Sequence, residues 1–288
     1  MGPKRPPAVA GRFYPGTEPE CRRMADEFFR AVTSPAGIGG IVPHAGWVFS
    51  GSTAALAIAG VAGAKPETVV IFGAVHGPDP NSASVYSRGE WDTPLGSLQV
   101  DEELAARLVA LRRIADDPVQ HRYEHAIEVQ LPLLKYILPD VRIVPIGVRP
   151  GVEAPEVGRI CAREVSACGR RVGFLGSTDL THYGPAFGFE PHGRGAGGIR
   201  WAKEVNDRQL VALIQAMDAE AVVPEAAAHR NACGAGAVAA TIAAMVELGA
   251  GRYEELRHTC SAECEDVGGR DAYNSVGYEA GVFTAGMR

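Results

Sequence analysis

No run of eighteen apolar residues occurs in this chain, so no membrane-spanning helix is expected. The N-terminus has no apolar signal core and enters proline-rich sequence at once, which makes the cytoplasm the expected compartment. Six cysteines (Cys21, Cys161, Cys168, Cys233, Cys260 and Cys264) are few for this length, and none forms a C-x-x-C. Cys260 and Cys264 lack the second nearby pair that a structural zinc site needs. The formal net charge is -6 and there is no long basic run, so nucleic acid is not the expected partner. The one small basic cluster, Lys4-Arg5, is followed by Pro6-Pro7 and reads as a frayed terminus. Also missing are a glycine-rich phosphate loop, a G-x-S-x-G elbow and an H-E-x-x-H helix. Their absence removes the commonest nucleotide-binding, serine-hydrolase and zinc-protease readings.

What is present is an ordinary globular composition, 46% hydrophobic and 22% charged over 288 residues, enough for a substantial core. Apolar strands are expected at 38–42, 68–72, 142–148 and 171–176. The run at 68–72 has the continuous hydrophobicity of a strand buried on both faces. Helical patterns fall between them, at 18–33, 51–62, 101–113 and 152–168. Residues 124–137 read as a helix kinked or broken at Pro132. Glycine-rich residues 185–198 read as a mobile loop. Helices at 200–217 and 219–228 precede an Ala-rich helix opened by Cys233, and two closing strands lie at 253–260 and 274–284. Strands alternating with helices imply one α/β domain over residues 1–288, with a central mixed sheet, helices on both faces and an irregular stretch at 1–9.

Polar tips recur at the strand ends, where open α/β sheets gather ligands. Pro43-His44-Ala45-Gly46 follows the first strand, and Gly73-Ala74-Val75-His76-Gly77 follows the second. Asn231-Ala232-Cys233-Gly234 opens a helix, whose dipole favours a thiolate. Two imidazoles and a thiolate would leave open positions on a metal, as a catalytic site needs. Ser177-Thr178-Asp179-Leu180-Thr181-His182 adds a carboxylate and an imidazole three apart. Asp179 could fix the tautomer of a neighbouring histidine, or Ser177, Thr178 or Asp179 could cap a helix. Glu124, His125 and Glu128 open the kinked helix; His125 is a candidate general acid or base, with a solvated charged face as the alternative. His121, His192, His229 and His258 read as surface or structural residues.

Seven strings occur in an order that resembles the Memo family: Ala10-Gly11-Arg12-Phe13-Tyr14-Pro15, Val42-Pro43-His44-Ala45-Gly46, the Gly73–His76 turn, Thr93-Pro94-Leu95-Gly96, Glu124-His125-Ala126-Ile127-Glu128, Ser177–Gly184 and Cys233-Gly234. The group is also labelled AmmeMemoRadiSam system protein B, and the resemblance runs from about Ala10 to Phe283. It implies a fold shared with class III, LigB-type extradiol dioxygenases, which hold non-haem Fe(II) with two histidines and a glutamate. In the Memo family a cysteine replaces that glutamate. Carried over, the resemblance implies His44, His76 and Cys233 as metal ligands, with Asp179, His182 and His125 beside them as catalytic residues. Gly77 departs from relatives that carry a histidine or polar residue there. A thiolate ligand favours softer metals, so dioxygenase chemistry does not follow from fold alone.

The expected function is that of a metal-dependent oxidoreductase of a small molecule, with Fe(II) first and Cu or Zn as alternatives. The competing reading is a non-catalytic metal-binding or interaction protein whose cavity holds a metal or a peptide. The resemblance adds a radical-SAM protein as a possible partner.

Overall fold

Strands without polar alternation need cover on both faces, and the runs of this kind form the centre of the sheet. The structure, a computed structural model, describes residues 2–264 and 273–286. In chain order its elements begin with β1 (Lys4–Arg5), α1 (Glu18–Phe29), β2 (Gly39–Val42), α2 (Trp47–Gly63), β3 (Thr68–Gly73), β4 (Ala83–Val85), β5 (Glu90–Trp91), β6 (Leu98–Gln99), α3 (Glu102–Ala110) and β7 (Ala115–Asp116). There follow α4 (Leu131–Ile137), β8 (Arg142–Val148), α5 (Ala154–Cys168), β9 (Val172–Ser177), β10 (His182–Tyr183), α6 (Ala196–Trp201), α7 (Asp207–Ala216), α8 (Ala219–His229), α9 (Ala235–Glu247), β11 (Ala250–Cys260) and β12 (Ser275–Ala285).

Among the described residues, nine strands form one mixed sheet in the order β10-β12-β2-β9-β3-β8-β4-β7, with β11 also paired to β12. Its centre, β2, β9, β3 and β8, is parallel. β12 and β4 flank that centre and run antiparallel to it. A separate small sheet joins β1, β5 and β6.

Glycines in adjacent positions of β2 show which helix covers which face. A Cβ on Gly39 would lie 2.5 Å from Met245 of α9, and one on Gly40 would lie 3.3 Å from Ala57 of α2. Successive strand residues face opposite ways, so α9 and α2 cover opposite faces. Both helices are Ala-rich and buried nearly all round, as a helix inside a core must be. The expected single α/β domain with helices on both faces is therefore what the chain forms.

The α5–α9 crossing is tighter still: a Cβ on Gly158 would sit 1.9 Å from the Ala240 carbonyl oxygen. Backbone cannot swing aside as a side chain can. Gly158→Ala should therefore cost about 1–3 kcal/mol, the range for overpacking. Urea denaturation would check it, and an unchanged midpoint would refute the close contact.

Several expectations need correction. Lys4-Arg5 is not a frayed end: it is β1, paired with Glu90-Trp91, and Arg5 is buried. Residues 2–9 are irregular apart from this strand, where the Arg5 guanidinium reaches a buried carboxylate on Glu128 at 2.7 Å. Glu128 lies on no solvated face; it is fully buried. The segment 124–137 is not one helix. A 3-10 turn at Glu128–Gln130 leads into α4, where Pro132 sits in the first turn and its missing N–H costs nothing. The expected helix 18–33 stops at Phe29, and 200–217 contains a π-helical segment at Ala202–Asn206. Among the described residues no helix is long and apolar enough to cross a membrane.

Candidate metal centre

Parallel strands end together, so the loops after β2, β3 and β9 open along one edge of the sheet. His44 stands two residues beyond β2, His76 three beyond β3 and Asp179 two beyond β9. Cys233 immediately precedes Gly234, the N-cap of α9. A Cβ on Gly234 would lie 2.3 Å from the Ser177 carbonyl, so glycine here lets the Cys233 loop close onto the end of β9.

His44 is buried, and its ring is held in one tautomer. The Ser177 hydroxyl donates its proton to the Ala126 carbonyl at 2.8 Å. It therefore accepts from His44 Nδ1, also at 2.8 Å. This puts the proton on Nδ1 and leaves a lone pair on Nε2. Burial, then the neighbouring His76 and His125, hold the His44 pKa well below the ordinary value.

His76 is set the same way by a different partner. Its Nδ1 lies 2.9 Å from Glu124 Oε1, and its backbone N–H donates to Glu124 Oε2 at 2.7 Å. Glu124 also accepts from the amides of His125 and Ala126. Burial works against the charged forms of both partners. The hydrogen bond and attraction between them win, raising the His76 pKa and holding the Glu124 carboxyl down at about 2.

His125 stacks on His76 at 4.6 Å between ring centres and rests against Phe13 at 4.7 Å. Its pKa is lowered by burial first and by His76 second. One ligand nitrogen from each of His44, His76 and His125 lies within 4.8 Å of the others. Three convergent imidazoles could hold a metal ion. Two of them have their far nitrogen tied back, the arrangement metal-binding histidines usually show.

Cys233 lies outside this mutually close group, but its Sγ is 3.2 Å from His44 Nε2. Sγ also accepts from the Asp179 amide at 3.3 Å. Burial, then the Asp179 charge, push the thiol pKa up despite the helix end behind it. Asp179 accepts the His44 amide at 2.7 Å, and burial raises its carboxyl pKa against the pull of His182, of that amide and of His125. His182 turns Nδ1 to the Leu180 carbonyl at 3.0 Å and packs edge-on against Phe187. It lines the cavity but is no member of the three-imidazole group.

All six residues singled out from the sequence thus surround one place. Five line a cavity of about 450 Å³, and Cys233 touches it through His44. Four aromatic side chains, Phe13, Phe49, Phe187 and Tyr278, also line it. Sequence reasoning gave His125 an acid–base role and did not group it with His44 and His76. It also left Glu124 as possible surface charge and Ser177 as a cap. The Glu-His dipeptide was the available signal for Glu124; nothing local marked Ser177 as the partner of His44. His121 and His258 are buried structural histidines, the first bonded to the Ser84 carbonyl and the second to Asp207.

A family model described as Memo-like protein matches residues 5–282. A MEMO1 family protein of Thermococcus onnurineus is 36% identical, covering 97% of this chain and 99% of that protein. A second, from Pyrococcus abyssi, is 38% identical over 90% of this chain and 93% of its own length. A third, from Methanopyrus kandleri, is 36% identical over 98% and 100%. Among solved structures, an uncharacterized protein of Escherichia coli K12 aligns with a TM-score of 0.43 and 14% identity, covering 74% of this chain and 86% of that one. On the family model and these full-length relatives, the chain belongs to the Memo-like protein family.

Proposed function

We propose that the chain is a metal-dependent oxidoreductase that acts on a small molecule in this cavity. The observation that carries the reading is the convergence of His44, His76 and His125, with two of the rings locked at Nδ1. The donor set fits a first-row metal: His44 and His76 would hold it, with His125 or the Cys233 thiolate completing the set. A bound metal would supply Lewis-acid and redox chemistry with positions open to a substrate.

The protein's own groups have separable tasks. Glu124 and Ser177 hold the Nδ1 protons, so the lone pair of each neutral ring is left on Nε2. Asp179, buried with a raised pKa, can hold a proton near the site, and His182 offers Nε2 as a second proton carrier. The aromatic side chains of the lining would give an apolar substrate a surface to rest on.

The test is metal content after anaerobic purification and after supply of Fe(II), Cu(I) or Zn(II), beside oxygen uptake over a substrate panel. Wild type should hold about one metal per chain, as one such site implies. His44→Ala and His76→Ala should lose it, and comparison of His125→Ala with Cys233→Ala identifies the third ligand. A wild type that takes up no metal would sink the reading. Stoichiometric metal with no turnover across the panel would select a metal-binding role at the same residues.

A further inference from the structure

Residues 184–189 form a finger closed on itself. Gly184 donates to the Phe189 carbonyl at 2.7 Å, and Phe189 donates back at 3.3 Å. Gly184 and Gly188 both have positive φ, 117° and 59°, which lets so short a segment reverse. Pro185, Ala186 and Gly188 face solvent, while Phe187 turns inward onto His182 and into the cavity.

Bonds from two directions hold the finger down. Ala186 donates its amide to Asn274 at 2.8 Å. Arg230 donates to the carbonyls of Phe187 and Gly188, each at 3.3 Å, and lays its guanidinium 4.7 Å from the centre of the Phe189 ring. Arg230 is exposed and ends α8 in the left-handed conformation, three residues before Cys233. One side chain thus joins the loop that carries the thiol to the finger that carries Phe187.

We propose that Arg230 is a positioning residue that latches this finger, and that Phe187 so held sets the size of molecule admitted to the histidine cluster. The proposal rests on the cavity being the working site, but its test needs neither metal nor turnover. Arginine suits the task because a planar fork can bond two carbonyls while its face covers a ring. A lysine has neither the planar fork nor the flat face.

The experiment compares wild type with Arg230→Gln, Arg230→Lys and Phe187→Ala in two measurements. The first is amide hydrogen exchange at Gly184 and Phe189. The second is the rate of Cys233 alkylation, mapped by mass spectrometry, with iodoacetamide, N-ethylmaleimide and pyrenyl maleimide. The ratio of small to bulky reagent cancels the intrinsic reactivity of the thiol. Arg230→Gln should speed exchange by about 10-fold, the worth of one charged hydrogen bond, and flatten the size ratio; Arg230→Lys should fall between. Phe187→Ala should flatten the ratio with little change in exchange. Unchanged exchange in Arg230→Gln overturns the latch. Faster exchange with an unchanged size ratio, or no labelling of Cys233 in any variant, overturns the control of entry. If both Arg230→Gln and Phe187→Ala lower the thermal midpoint together with exchange protection throughout the sheet, the effect is global and the latch is likewise rejected.

Discussion

Glu128→Ala should cost about 3–5 kcal/mol of stability, the loss expected when a buried ion pair is left with one partner. Glu128 is 0% exposed and every neighbour of its carboxylate is a donor. Oε1 accepts from the amides of Ala8 and Val9, each at 2.9 Å, and from the Tyr14 hydroxyl at 2.8 Å. Oε2 accepts from Arg5 Nη1 at 2.7 Å. The alanine variant would strand the Arg5 guanidinium, itself 3% exposed, together with two amides and a phenol. Arg5 keeps the carbonyls of His121 and Glu124 and the face of Trp91, at 4.0 Å, but none of these is a counter-charge. Glu128→Gln retains the shape and should lose less. Replacing both partners by apolar residues of similar size should be far milder than either single change, since no charge is then left buried. Urea melts of the two singles and the double would decide it; a loss below about 1 kcal/mol for Glu128→Ala would mean that the pair is hydrated, as surface pairs are.

The consequence reaches the site. The strap from Arg5 to Tyr14 places Phe13 against His125, and Arg5 bonds the carbonyl of Glu124, the residue that holds His76. Stability and the geometry of the imidazoles are therefore carried by the same buried carboxylate.

The central strands were legible in the sequence because burial on both faces demands unbroken hydrophobic runs, and Thr68 to Phe72 is such a run. Site residues were legible where they follow those strands, so His44, His76 and Asp179 could be grouped before their contacts were known. Arg5 and Glu128 were misread for one reason: they are partners 123 positions apart, and neither charge has a local pattern that announces burial. The two-residue strands β1, β5, β6, β7 and β10 carry too few residues for any period to register. The break before α4 was visible in Pro132, but proline is compatible with a first turn as well as with a kink, and only the 3-10 turn that ends at Gln130 puts Pro132 in a first turn. His125 stayed apart from the other two imidazoles because it belongs to no strand end. It arrives on the loop that Glu124 ties to His76.

Metal affinity should fall as pH drops through the raised His76 pKa, and Glu124→Gln should move that fall to lower pH. A proton and the proposed metal would compete for His76 Nε2, while Nδ1–H stays on Glu124. Burial alone would favour the neutral ring, but the Glu124 hydrogen bond and charge outweigh it and raise the pKa above 6.5. Above that raised value the ring is neutral and affinity is on its plateau. Below it, each pH unit costs about tenfold for the one proton displaced. His44 and His125 add no edge at that pH, because burial and neighbouring imidazoles lower both. Glu124, held at about 2, stays ionised throughout. Glutamine removes the charge and returns His76 to the lowering effect of burial, so the edge shifts down. The plateau should drop as well, by about 10–100-fold, because the ring loses a strong orienting acceptor and becomes a weaker donor to the metal. The two effects are opposite in sign at low pH, which separates them from simple unfolding. Competition titrations with Zn(II) and a chromophoric chelator from pH 5.5 to 8.5 would show both. An edge that stays in place in Glu124→Gln would mean that His76 is not the ring whose proton the metal displaces.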